Sequence, residues 1–314
     1  MLDSFVFSLN ATLPVFLLIL VGMLLRRIGI FTEEYAAMTD RFVFKIALPV
    51  LLFKDISGMS LRDDFDGGFV IFCAVASVLM FLVPWGFAAL FMKNKGSVGA
   101  FSQGCARGSA AVLGVALAEN ICGSAGMAPI MIFAAVPIFN ILSVVILSFS
   151  AEGQEKKPGV GELLKNIVTN PIIWGVLLGL PFSFFDVSLP HIAQSAVGSI
   201  ASTATPLALM AIGASFDFGA AKGKFVPAAV ASFVKLILLP AAVIPVAAAL
   251  GFRDSALVSV FIMVGAPTTV AAYIMAKNMK NDHVLSSNIV MLSTLLSSVT
   301  ITFWVFLMRY LGFI

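Results

Sequence analysis

The feature that most restricts this sequence is a succession of apolar stretches, each long enough to cross a bilayer as a helix. A membrane-spanning helix needs about 20 mostly apolar residues, because the hydrocarbon core is about 30 Å thick. Only 11% of the residues are charged, against about 25% in soluble domains, and 60% are hydrophobic. The sequence therefore predicts a polytopic membrane protein. Ten stretches qualify as spans, with approximate bounds of 5–28, 35–57, 67–92, 99–121, 128–150, 168–185, 192–216, 225–250, 255–276 and 284–311.

Lysine and arginine are divided unevenly between alternate loops. Eleven lie in one set of loops and four in the other, and the last four of the 19 fall within predicted spans. The positive-inside rule places the richer set in the cytoplasm. An even number of spans then puts both termini outside. Short loops and modest length are typical of a multi-pass protein of a prokaryotic inner membrane, and the lack of a run of five like charges argues against nucleic-acid binding.

The two halves of the chain repeat each other at a nearly constant offset. Thr12, Pro14, Gly22 and Pro49 of the first half recur 157 positions later as Thr169, Pro171, Gly179 and Pro206 (169 − 12, for example). A repeat of five spans is odd, so the second copy must enter the membrane from the opposite side. We therefore predict an all-α fold of two inverted five-helix repeats, residues 1–150 and 167–314, joined by a cytoplasmic linker at 151–166. Inverted repeats are the construction of many secondary transporters.

Spans four and nine are interrupted near their middles. Gly265 and Pro267 break span nine, and Thr268 and Thr269 follow the break. In hydrocarbon, freed backbone groups persist where protein or a water-filled cavity satisfies them. Broken spans in corresponding repeats indicate the substrate site of a transporter. The corresponding breaks that we predict lie at Gly108 and Gly114 in span four, and at Pro49 and Pro206 in spans two and seven.

At these positions the chain resembles the auxin efflux carrier family, which includes bacterial malonate and malate permeases. The resemblance implies ten helices in two inverted repeats, a scaffold of spans one, two, six and seven, and a mobile domain of the other six spans. It also implies that spans four and nine cross where they unwind, with an organic anion bound beside the crossover. The matching stretches are 44–53 (FKIALPVLLF), 136–140 (VPIFN), Asn170-Pro171, 205–215 (TPLALMAIGAS) and Ala266-Pro267.

The chain departs from the family pattern in span four. The family commonly has Arg-Gly-Asn followed by Gly-x-Pro, where this chain has Arg107-Gly108-Ser109 and later Gly114-Val115-Ala116. A serine hydroxyl replaces an amide that has two donors and an acceptor. The break in span four then depends on glycine alone, and the substrate of family members that keep the asparagine does not transfer to this chain.

Three cations lie deep within predicted spans. Lys45 and Lys235 each lie ten residues into a span, or about 15 Å at ~1.5 Å per residue, and Arg107 lies slightly less deep. Intramembrane charges face the bundle interior and are usually functional. No deep carboxylate is found to pair with them, which favours an anionic substrate, and half-helix N-termini at the breaks would add positive partial charge.

Each candidate has an alternative role. Arg107 could contact the anion or hold the crossover open through backbone carbonyls, and Lys235 could bond to unwound carbonyls. Lys45 could replace the sodium ion of sodium-coupled relatives. Asn140 could bind substrate or join two helices, and the hydroxyls of Thr268 and Thr269 could bond within their own helix.

The function favoured by these observations is secondary transport of small mono- or dicarboxylates by an elevator-like movement. We expect the anion between residues 107–109 and residues 267–269. The alternative is a cation–proton antiporter of related fold, which would require deep carboxylates. No metal, cofactor or catalytic motif is found, so an enzyme is not expected. Coupling to Na⁺ or H⁺ stays open. The scaffold of spans one, two, six and seven that the resemblance implies is compatible with a homodimer.

Overall fold

The computed structural model describes residues 2–58, 66–151 and 158–314, with side chains except at residues 2–12, 111–116 and 218. Arg62, Lys156 and Lys157, which were counted for orientation, lie outside the described residues. The described chain consists of α-helices, two π-helical turns, a short 3₁₀ turn and an isolated β-bridge. The helices of the first half are α1 (Leu2–Arg27), α2 (Glu33–Phe42), α3 (Leu48–Ser57), α4 (Gly67–Phe91), α5 (Val98–Ala106), α6 (Ala110–Cys122) and α7 (Ala128–Phe149). Those of the second half are α8 (Val160–Thr169), α9 (Pro171–Phe185), α10 (His191–Ala214), α11 (Phe218–Gly223), α12 (Phe225–Phe233), α13 (Leu239–Ala249), α14 (Asp254–Gly265), α15 (Val270–Asn278) and α16 (His283–Tyr310).

Five continuous helical segments are long and apolar enough to cross a membrane: α4, α7, α10, the segment Phe225–Ala249 and α16. The bent pair α8 and α9 makes a sixth if it counts as one span. The multi-pass, all-helical character is therefore as predicted. The remaining predicted spans are divided among shorter helices, so the count of ten stays a prediction.

Two helical stretches, α2 with α3 and α12 with α13, are each joined by a π-helical turn immediately before a Leu-Pro pair. Val43–Ala47 is π-helical and leads into Pro49, and Val234–Leu238 is π-helical and leads into Pro240. Proline has no N–H, and its ring clashes with the carbonyl four residues earlier. A wider π turn at this place lets the helix continue past the proline. Pro49 therefore marks a π turn in an otherwise continuous helix.

The helix is not broken at Pro49, and two further predicted breaks are also wrong. Pro206 lies inside α10, which continues to Ala214, and Gly114 lies inside α6. Helices at membrane depth tolerate proline where neighbouring helices and hydroxyl groups satisfy the freed backbone. In this structure α10 is packed on α1, and that packing holds it as one continuous helix past Pro206. Glycine permits a break but does not impose one, and the break in span four lies nearer the N-terminus.

The chain bends by 65° between α8 and α9. Predicted span six began at residue 168, but its helix begins at Pro171, and residues 160–169 form a separate helix that includes the end of the predicted linker. Pro171 occupies the first position of α9, where its missing N–H costs nothing. The Asn170 side chain caps α9 by accepting a hydrogen bond from the Ile172 N–H at 3.0 Å. The bend is thus set by the sequence Asn-Pro.

The helices form two packed groups. In the first group, which we define as α1, α2, α3, α9 and α10, α1 packs on α10 and α3 packs on α9. Glycines allow these close approaches: a Cβ on Gly213 would overlap the carbonyl oxygen of Ile19, and one on Gly175 would overlap that of Pro49. The second group comprises α4–α7 and α12–α16, and α1 contacts α16 between the groups.

Replacing Gly213 with alanine is expected to destabilise the first group. Small-to-large changes in packed cores cost about 1–3 kcal/mol, because the backbones must move apart. Gly198 lies in the same helix with open space around its Cα, so Gly198→Ala should be neutral or stabilising by about 0.5–1 kcal/mol. Thermal unfolding of the detergent-solubilised variants measures both effects. Equal midpoints for the two alanine variants would contradict the packing argument.

A buried polar cluster ties together the starts of three segments in the second group. Asp282 caps α16 by accepting from the Leu285 N–H, and it pairs with Lys224 at 2.7 Å and with the Ser97 hydroxyl at 2.5 Å. Burial acts to raise the pKa of Asp282, but these hydrogen bonds outweigh it and hold the pKa below its ordinary value. The cluster therefore stabilises the group at neutral pH and would lose this effect only under strongly acidic conditions.

Candidate substrate site at the crossover

Two broken segments meet in the middle of the structure. Residues 107–109 separate α5 from α6, and residues 266–269 separate α14 from α15. Gly108 and Thr268 form an antiparallel β-bridge. The Ser109 N–H donates to the Pro267 carbonyl at 2.8 Å, and the Thr269 N–H donates to the Arg107 carbonyl at 3.2 Å. The break in span four thus exists without a proline, because each unwound segment satisfies the backbone of the other.

Lys235 lies beneath this crossover and is fully buried. Its ammonium group donates to the carbonyls of Ala106 at 3.1 Å and Met263 at 3.2 Å, at the C-terminal ends of α5 and α14. Those ends carry unsatisfied carbonyls and negative partial charge. Lys235 therefore caps the C-terminal ends of two half-helices. The sequence analysis gave this bonding to unwound carbonyls as the alternative role of Lys235. A Cβ on Gly108 would lie 2.8 Å from the Lys235 Nζ, which explains a glycine at this position.

The Arg107 side chain is buried with 4% of its surface exposed. Its guanidinium donates to Asn140 Oδ1 at 2.8 Å, to the Ser143 hydroxyl at 3.2 Å and to the Met275 sulfur at 2.9 Å. Asn140 in turn donates to the Val136 carbonyl at 2.8 Å, which fixes the amide orientation. These partners are neutral, so they position the guanidinium, and Arg107 forms no ion pair with any described residue.

The hydroxyl groups at the crossover divide into two roles. Thr268 is 2% exposed, and its hydroxyl donates to the Gly104 carbonyl at 2.8 Å, so it holds the two segments together. Thr269 caps α15 by accepting from the Ala271 N–H at 3.4 Å. Among the described residues, Ser109 makes only backbone hydrogen bonds at the start of α6, which leaves its hydroxyl available. Ser109 and Thr269 thus mark the N-terminal ends of two half-helices, where anions are favoured.

Two adjoining cavities lie between the crossover and the first group. The smaller, the arginine cavity, has a volume of about 40 Å³ and is lined by Arg107, Asn140, Ser109, Thr269 and a stripe of α3. The larger, the threonine cavity, has a volume of about 240 Å³ and is lined by α1, α3, α10 and residues 267–271. The two share Leu48, Leu51, Ser109, Thr269 and Ala271.

The structure brings all seven predicted substrate residues to these cavities. The arginine cavity receives Arg107, Gly108, Ser109 and Asn140, and the threonine cavity receives Pro267, Thr268 and Thr269. Gly265 ends α14, as the predicted break requires. Lys45 differs from expectation, because its side chain is exposed and lines neither cavity. Lys45 lies in the π turn between α2 and α3, and its predicted role in place of a sodium ion stays a prediction.

Sequence reasoning missed two acidic residues. Asp55 lines the arginine cavity, and its position seven residues after Leu48 on one face of α3 could have revealed it. Asp40 is 2% exposed and pairs with Lys277 of α15, whose ammonium also donates to the Tyr273 and Ser215 hydroxyls at 3.1 Å each. This ion pair joins the first group to the second at the end of α15. No local pattern indicated that Asp40 would meet Lys277.

In this chain, apolar helices enclose cavities beside two broken helices. These features are typical of membrane transporters. Residues 7–305 match the family model described as "Membrane transport protein". The chain belongs to this family, which is the auxin efflux carrier-like family, and the resemblance drawn from the sequence is confirmed.

Relatives match along nearly their whole length. An "Uncharacterized transporter" of Methanothermobacter thermautotrophicus is 23% identical over 301 residues, covering 96% of this chain and 98% of the relative. A "Putative malonate transporter" of Rhizobium meliloti is 25% identical over 305 residues, covering 95% of this chain and 94% of the relative. The "Uncharacterized transporter YfdV" of Escherichia coli K12 is 24% identical over 315 residues, covering 96% of this chain and 98% of the relative. The similarity therefore extends over nearly the whole of each of these relatives.

Proposed function

We propose that this protein is a secondary transporter of small organic anions, with mono- or dicarboxylates as its substrates. The observation that carries the proposal is the convergence of two half-helix N-termini and a buried Arg107 guanidinium, which forms no ion pair with a described residue, on adjoining cavities. An arginine side chain and helix N-termini both favour carboxylates over neutral solutes. Residues 107–109, Asn140 and residues 267–269 form the binding site in this proposal.

The cavities favour a small substrate. Pockets for drug-sized ligands typically have volumes of about 300–1,000 Å³, and the threonine cavity has about 240 Å³. The relative from Rhizobium meliloti carries malonate in its name. Malonate, a short dicarboxylate, is therefore the first substrate to test.

Alternating access in this proposal is an elevator-like movement of the second helix group against the first. The site lies on the boundary between the groups, as such a mechanism requires. The Asp40–Lys277 ion pair crosses the same boundary and would separate during the movement. The proposed architecture has ten spans in two inverted repeats, residues 1–150 and 167–314. It spans a prokaryotic inner membrane with both termini outside, and the first group would form any homodimer.

Uptake into proteoliposomes tests the function. Purified protein should accumulate labelled malonate, and excess unlabelled small carboxylates should compete, whereas neutral amides of the same size should not. Protein-free liposomes measure passive entry. Failure to take up any member of a panel of mono- and dicarboxylates would overturn the proposal. Sodium–proton exchange in the same vesicles would instead support the antiporter.

A further inference from the structure

Asp55 occupies a distinctive place on α3. The face of this helix that lines the arginine cavity consists of Leu48, Leu51, Leu52 and Asp55, spaced at i, i+3, i+4 and i+7. Residues with this spacing share one face of a helix. The first three are apolar, as expected for a surface against the crossover. Asp55 continues the same stripe with a carboxylate, and among the described residues it is the only acidic side chain that lines either cavity.

The carboxylate of Asp55 takes part in none of the ion pairs among the described residues, and the cation that acts on it is its neighbour in the chain, Lys54. The ion pairs found there are Arg26–Glu33, Lys224–Asp282 and Lys277–Asp40. Lys54 precedes Asp55 but lines a different cavity, beside Asp186. Of the helices nearest to this face, α7 and α9 carry no charged or histidine side chain, and α10 carries only His191, at its first residue. Arg107 is thus the one charged group that faces the cavity together with Asp55.

The charge of the two cavities therefore depends on one proton. With Asp55 ionised, the side chains that line the two cavities carry no net formal charge, and an anion gains little from entering. With Asp55 protonated, the net charge is positive and the anion is favoured. Binding of the anion and of the proton must then reinforce each other, because coupling between two sites is reciprocal.

We propose that Asp55 is the proton-binding site that couples anion transport to protons, so that the protein is a proton–carboxylate symporter. The proposal rests on the proposed function of anion transport and adds its coupling ion. One proton binds the Asp55 carboxylate before or with the anion. Asp55 belongs to the first group and stays in place, so in this proposal the movement of the second group opens Asp55 to the other side of the membrane, where the proton and the anion are both released. Asp55 therefore supplies the proton carrier that the sequence analysis did not find.

Proteoliposomes that contain a trapped pH indicator test the coupling. For the wild-type protein, an inward malonate gradient should acidify the lumen, and an acidic exterior should accelerate uptake, by up to about tenfold per pH unit for a single linked proton. Asp55→Asn should abolish both the acidification and the acceleration while retaining malonate–malonate exchange at equal pH. Asp55→Glu, which restores a carboxyl group, should recover proton movement.

The matched control is Asp186→Asn. Asp186 is an exposed aspartate in the left-handed conformation after α9, and asparagine tolerates that backbone. This variant should behave as the wild type, and protein-free liposomes correct for permeation of the undissociated acid. Wild-type malonate uptake without luminal acidification would overturn the inference, as would unchanged proton movement in Asp55→Asn. Absence of any wild-type carboxylate uptake would instead overturn the proposed function.

Discussion

Replacing Arg107 with glutamine is expected to lower the apparent affinity for malonate by about 10- to 100-fold. A hydrogen bond to a charged group contributes about 1.5–3 kcal/mol, and about 1.4 kcal/mol corresponds to a factor of ten. Glutamine keeps a donor but removes the positive charge that faces the arginine cavity. Initial rates of labelled uptake over a range of malonate concentrations measure the change. Arg107→Lys should fall in between, because it keeps the charge and loses the planar fork.

A second variant separates anion binding from a purely structural role of Arg107. Asn140→Asp would place a carboxylate where the amide oxygen now accepts from the guanidinium at 2.8 Å. If Arg107 only joined helices, the new ion pair would preserve the structure and transport would continue. If Arg107 binds the anion, its charge is neutralised and uptake is lost in a folded protein. We expect the second result, with folding checked by thermal unfolding and size-exclusion chromatography.

The control for both variants is Arg41→Gln. Arg41 is an exposed cation in α2 and lines neither cavity. Its removal should leave malonate uptake unchanged. A loss of uptake as large as that of Arg107→Gln would show that the effect comes from total charge and not from the site.

Replacing Lys235 with methionine is expected to destabilise the crossover and abolish transport. Each carbonyl left without a donor costs about 1–3 kcal/mol, and Lys235 serves two of them. Removing a buried ammonium recovers part of its own desolvation cost. The carbonyl cost should prevail, because both belong to helix C-termini whose dipoles favour a cation. Since ~1 kcal/mol shifts Tm by about 2–4 °C in domains of 150–250 residues, we expect a fall of about 4 °C or more.

Lys222→Met is the matched control for this prediction. Lys222 is exposed in α11, and its replacement should not change the thermal midpoint. A Lys235→Met variant with a normal midpoint but weakened malonate affinity would assign Lys235 to substrate binding instead of to the capping of α5 and α14.

The breaks show how far sequence reasoning reaches. Pro267 lies two residues after Gly265, and the break predicted from this pair coincides with the end of α14. Gly179 and Pro181 have the same spacing and lie inside α9, so the pair permits a break without imposing one. Pro206 and Gly114 have similar local chemistry and lie within continuous helices. The difference is not local. Residues 107–109 unwind because residues 267–269 lie beside them and exchange backbone hydrogen bonds, whereas α10 is held straight by its packing on α1.

The charged residues divide in the same way. The depth of Arg107 and Lys235 followed from counting along the spans, because each residue of a helix rises ~1.5 Å. Counting could not show that Lys235 caps two half-helices whereas the guanidinium of Arg107 is held at a cavity. It also assigned Lys45 to the interior, although that side chain, which lies in a π turn, is exposed. The orientation of a side chain depends on the turns that precede it and on the helices around it.

The sequence by itself predicted a helical membrane protein whose helices break at residues 107–109 and 267–269, and its motifs identified the transporter family. The first two predictions follow from the lengths of apolar stretches and from glycine and proline, whose effects are local. Only the tertiary structure decided that Lys235 caps helix ends, that Asn140 orients Arg107 and that Asp55 shares a cavity with that arginine. The distances between these groups are set by the packing of segments far apart in the chain, which no local pattern encodes.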